Sequence, residues 1–76
     1  MGLTLDQCLS VVRRHANDIS GEPLFNVRRW KVGERVVIST WQRQHGVTSI
    51  MIQMESVVIG TWVLGNDGTW RRKVTG

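Results

Sequence analysis

The hydrophobic period of this chain changes once, around Gly21–Pro23, and that change constrains the fold more than any other feature. Before it, Leu5, Cys8, Leu9, Val12, Ala16 and Ile19 recur at three- and four-residue spacing, the signature of one buried helical stripe. Asp6, Ser10, Arg13, Asn17 and the Arg14/Asp18 pair fall on the other side. Thr4 and Gln7 have the spacing of a capping box, and Leu3 with Cys8 that of a hydrophobic staple. Gly21 supplies a flexible C-terminal residue and Pro23 a stop. A helix is expected over about 4–20.

After Pro23 the period is two. Strands rich in Val, Ile, Thr and Trp are predicted from Phe25 to Val32, Arg35 to Gln44, Val47 to Glu55, Val57 to Leu64 and Thr69 to Val74. Gly33-Glu34 suits a type II′ turn and His45-Gly46 a type I′ turn. Gly65-Asn66-Asp67-Gly68 is the strongest turn signal. Glu55-Ser56 is the weakest, and one long bent strand through it is an alternative. Connections this short favour an antiparallel meander. The expected fold is therefore α+β, with one N-terminal amphipathic helix packed on a curved four- or five-stranded antiparallel meander.

Two-residue turns set the register. They place Trp30, Val37, Trp41, Ile50, Ile52 and Met54 on one face, apolar enough to receive the helix. Arg29, Lys31, Val36, Ile38, Thr40, Gln42, Met51 and Gln53 fall on the opposite face. Val36, Ile38 and Met51 are too apolar for an idle solvent surface, and they form the candidate protein interface. A bulge would exchange the faces beyond its position. The GTW at 60–62 and 68–70 is too short for a structural repeat and fits hairpin pairing.

Residues 1–76 read as a single domain without linker or low-complexity stretch. A chain this short hides only about 60% of its unfolded surface. One cysteine excludes an internal disulfide framework, so homo-oligomerisation is the remaining remedy for a small core. No apolar run approaches the roughly 18 residues of a membrane span. No basic-then-apolar leader opens the sequence, so the expected location is cytoplasmic and no membrane partner is expected.

The chemistry of an enzyme is missing from the residue pattern. The six acids are scattered, mostly at turns and helix ends, and His15 and His45 have no Cys or acid at ligand spacing. No metal site is expected from one chain. Cys8 lies in the apolar helical stripe and reads as a small buried hydrophobe. Neither G-x-G-x-x-G nor G-x-x-x-x-G-K occurs, and no cofactor is expected.

What remains is arginine beside tryptophan, in Arg28-Arg29-Trp30-Lys31, Trp41-Gln42-Arg43 and Trp70-Arg71-Arg72-Lys73. Guanidinium forks grip phosphate and indoles stack on bases, so such a sheet is one way to hold a nucleic acid. Arg28, Arg29, Lys31, Arg43, Arg71, Arg72 and Lys73 are the candidate charges, with Trp70 the first stacking candidate. Set against this, strand alternation sends Arg29 and Trp30 to opposite faces. A chain with no Tyr and one Phe also needs Trp30 and Trp41 for core bulk. Trp62 and Trp70 flank the last turn, and either role is open to them. Basic side chains also protect an edge strand from unwanted pairing. Arg13 and Arg14 read as a solvated helix face.

The order of elements is similar to that of Sm-like RNA-binding proteins and of cystatin-like domains. The strand motifs of the first and the loops of the second are not found here, so the likeness concerns architecture only. Two functions are expected on these grounds. The first is a non-catalytic binding protein contacting nucleic acid through the Arg/Trp sheet. The alternative is a small protein–protein module docking on a larger protein, of the kind found as phage or mobile-element accessories.

Overall fold

A computed structural model describes residues 2–74. One helix, α1 (Leu5–Asp18), is followed by β1 (Phe25–Val32), β2 (Arg35–Gln44), β3 (Val47–Met54), β4 (Val57–Leu64) and β5 (Trp70–Arg72). The strands form one antiparallel sheet in the order β1-β2-β3-β4-β5, a curved meander that does not close, with α1 against one face. Among the described residues no helix is long and apolar enough to cross a membrane.

The capping box forms as its spacing dictates. The Gln7 backbone N–H donates to Thr4 Oγ1 at 3.1 Å, and the Thr4 N–H donates to Gln7 Oε1 at 2.9 Å. Leu3 and Cys8 both join the core, as a staple requires. The stripe is rotated from the expected one: Cys8, Val11, Val12 and His15 are buried, while Leu5 is 59% exposed at its margin. The helix also ends at Asp18, not at 20. Ile19 turns extended and packs on the core, and Arg28 Nη2 donates to the freed Asp18 carbonyl at 3.3 Å.

Turn chemistry follows the φ angles. Gly33 alone is left-handed in the first hairpin, as type II′ needs, whereas His45 and Gly46 both are, as type I′ needs. Glu55 and Ser56 are both left-handed too, at φ 54° and 65°. A true hairpin therefore stands where a bent strand was an alternative. β5 keeps three residues of the six expected, although the Lys73 N–H still donates to the Thr61 carbonyl at 2.7 Å.

Register confirms the two faces. Trp30 pairs with Val37, Val37 with Met54, and Trp41 with Ile50. Ile50, Ile52, Val37 and Val12 are completely buried between sheet and helix, each side chain contributing about 1.5–3 kcal/mol. A bulge in β4 shifts the pairing between Ile52 and Gln53, leaving Ile59 as the extra residue. It keeps Trp62, opposite Ile50, on the core side, 4% exposed.

Candidate functional site

Seven of the ten basic residues lie within the five strands, and none of the six acids does. The acids occupy α1, the link after it and the turns. The charge of the sheet is thus cationic and lies on β1, β2 and β5, with none on β3 or β4, and it divides between the faces.

On the helix side the charges serve the fold. Arg28 closes the C-terminal end of α1, its guanidinium 4.0 Å from the Asp18 carboxylate as well as bonded to the carbonyl. Arg43 stands 3.6 Å from Glu22 at the rim. Arg72 donates to the Ile59 carbonyl at 2.9 Å, satisfying the bulge, and lies 5.7 Å over the Trp62 ring. Gly60 is required beneath them: a Cβ there would come within 3.0 Å of both the Trp62 ring and Arg72 Nε. Arg14, expected in solvent, covers the Trp30 ring at 5.2 Å.

All four indoles are on this side. Trp41 Nε1 donates to the Pro23 carbonyl at 3.0 Å, and its ring meets that of Trp70 edge-on at 6.3 Å. Trp70, the stacking candidate, thus turns its ring toward the core, away from Arg71 and Lys73.

A polar cluster pins α1 to the sheet. The Trp30 Nε1–H donates to Ser39 Oγ at 2.7 Å. Ser39 Oγ is 2.6 Å from His15 Nδ1, and Asn26 Oδ1 is 2.8 Å from His15 Nε2. Asn26 Oδ1 can only accept, so the proton sits on Nε2 and Nδ1 accepts the Ser39 hydroxyl. Burial lowers the His15 pKa first, with Arg28 adding to it, while the Asn26 bond and Asp18 oppose. The Ser–His–Asn order resembles a nucleophile relay in connectivity alone, since Ser39 and His15 are both fully buried. Burial also raises the Cys8 thiol, Arg72 drawing it partly back. Among the described residues no three His, Cys, Asp or Glu gather as metal ligands.

Among the described residues nothing forms a second layer on the other face. Its cross-strand rows run Phe25–Gln42–Ser49–Val63–Arg71, then Val27–Thr40–Met51–Thr61, then Arg29–Ile38–Gln53–Val58, with Lys31 opposite Val36. Phe25, Val27, Val36 and Val58 are 58%, 49%, 39% and 51% exposed. Arg29 and Lys31 border this apolar ground on β1, and Arg71 and Lys73 border it at β5. The borders are four strand spacings apart, about 19 Å. Arg71 is held by Asp67 at 3.2 Å. The Asp67 carboxyl is lowered to about 2 by the Thr69 hydroxyl and N–H and then by Arg71.

The candidates from the sequence therefore separate. Arg29, Lys31, Arg71, Lys73, Val36, Ile38 and Met51 share the uncovered face; Arg28, Arg43, Arg72 and Trp70 do not. Phe25, Val27, Val58 and Val63 join it unforeseen. For Phe25 and Val27 the signal was their alternation with Arg29; for Val58 it was the Glu55–Ser56 turn, which seats it opposite Gln53, and for Val63 the bulge removed it. No family model, curated protein or solved structure matches the chain.

Proposed function

We propose that this chain is a non-catalytic binding protein that docks on another protein through the uncovered face of its sheet. The observation that carries the reading is that exposed Val36 and Val58 lie between basic residues on β1 and β5, with Phe25 and Val27 exposed along β1 itself, on a face without a single acid in its strands. An apolar centre with a basic rim suits a partner with an apolar patch and acidic margins. The accessible surface, 5427 Å², exceeds by roughly 700 Å² what a compact monomer of this mass exposes. One partner contributes about 800 Å² to an interface of standard size.

Nucleic acid is the second reading, supported by Arg29, Lys31, Arg71 and Lys73 on one face. Without an indole on that face, contact would run through phosphates and fall steeply with salt. The favoured reading is tested by affinity capture from cells that produce the protein, with nuclease present, using wild type, Met51→Asp with Val58→Asp, and Arg13→Asp. A protein partner retained by wild type and Arg13→Asp but lost by the double variant is expected. A partner released by nuclease moves the assignment to nucleic acid, and retention by all three variants contradicts both.

A further inference from the structure

The outer edge of β1 extends this reading and rests on it. β1 has eight residues against three in β5, and it pairs on one side only. Among the described residues no backbone–backbone hydrogen bond leaves its outer side. Proteins usually blunt such an edge with a proline, a bulge or charged side chains. Phe25–Val32 contains no proline, and its pairing with β2 runs without a register shift. What the edge does carry is charge, as Arg28, Arg29 and Lys31 with no acid among the eight residues.

That charge selects the occupant. A second copy adding antiparallel through its own β1, with each face kept continuous, must pair residues of the same parity. The two longest such registers place Arg28 opposite Arg28 or Arg29 opposite Arg29, and like charges directly opposite destabilise a pair. A strand with acids opposite Arg29 and Lys31, and apolar residues opposite Phe25 and Val27, meets attraction and apolar contact at every position on the uncovered face. We propose that β1 takes up an extended acidic segment of a partner protein as a sixth strand, its backbone giving affinity and Arg29 and Lys31 giving specificity.

The test uses the isotope-labelled full chain and a synthetic peptide, Thr-Glu-Thr-Glu-Thr-Val-Thr-Val, at up to millimolar concentration. Two N-methylated forms, blocking alternate amides in one frame or the other, accompany it, with a form carrying Lys for Glu. Strand addition uses the amides of one frame only. The expected result is that one methylation frame weakens binding at least about tenfold, the loss of one or more hydrogen bonds, while the other changes it little. Alternate amides of β1 gain protection from hydrogen exchange, and the Lys peptide does not bind. Equal binding of both methylated forms, binding of the Lys peptide, or no binding of the parent peptide overturns strand addition. Those results leave face docking standing wherever wild type and Arg13→Asp retain a protein partner that the Met51→Asp, Val58→Asp variant loses, so the two claims fail separately.

Discussion

The rings of Trp41 and Trp70 meet edge-on at 6.3 Å although β3 and β4 lie between their strands. In a flat sheet three strand spacings separate them by about 14 Å. The sheet therefore curls toward the helix side, and Trp70 closes core space alongside α1. The uncovered face is in consequence the convex one, and the arginines on it have no indole beside them.

Trp70→Ala is accordingly a stability variant. Removing a half-buried ring that packs on Trp41 should cost about 2 kcal/mol, read as a lower urea midpoint, with Trp70→Phe recovering most of it. Unchanged stability of Trp70→Ala would mean that the ring is free to serve a ligand.

Gly60→Ala tests the close approach at the bulge. The added Cβ meets the buried Trp62 ring, which has no room to yield. A loss of about 1–3 kcal/mol is expected in denaturant unfolding. Alanine at Gly2, where nothing lies within 4 Å, should change stability little.

The Glu55–Ser56 turn holds two residues with side chains in left-handed geometry, each at a cost of order 1 kcal/mol. Ser56→Gly should gain about 0.5–1 kcal/mol, even after allowing for the larger entropy of glycine in the unfolded chain. The melting temperature should rise by a few degrees.

His15 links stability to pH. Its pKa in the folded chain lies below the ordinary value of 6.5, so the unfolded chain binds the proton first. The stability this group supplies is complete above about 6.5 and is lost as pH falls from there toward the folded value, with a slope of at most about 1.4 kcal/mol per pH unit. Thermal unfolding across that window should show the slope, and His15→Gln should flatten it.

Much of this fold was legible because its signals are local. The Thr4/Gln7 box and the Gly33 and His45-Gly46 turns are written within four residues, and period-two parity placed Trp30, Val37 and Trp41 against Arg29, Val36 and Ile38. The Glu55–Ser56 turn was faint because neither residue is a glycine, and the context of β3 and β4 enforces its geometry. Parity also sent Arg29 and Lys31 to the face opposite Trp30, but the structural work of the other arginines was not legible. Arg28 and Arg72 are engaged by carbonyls of Asp18 and Ile59, ten and thirteen positions away, and such partners exist only once α1 docks and β4 bulges. His15 stayed hidden for the same reason, because its burial is tolerable only with Ser39 and Asn26 brought to either side of the ring.

The docking face is tested most directly by position. A photo-crosslinking amino acid placed singly at Ile38, Met51 or Val58 on the convex face, and at Arg13 or Asn17 on the outer side of α1, reports what touches each in the producing cell. Nuclease-resistant protein adducts from the three sheet positions, with none from the helix positions, are predicted. Adducts confined to the helix positions, or adducts that nuclease removes, would contradict the account.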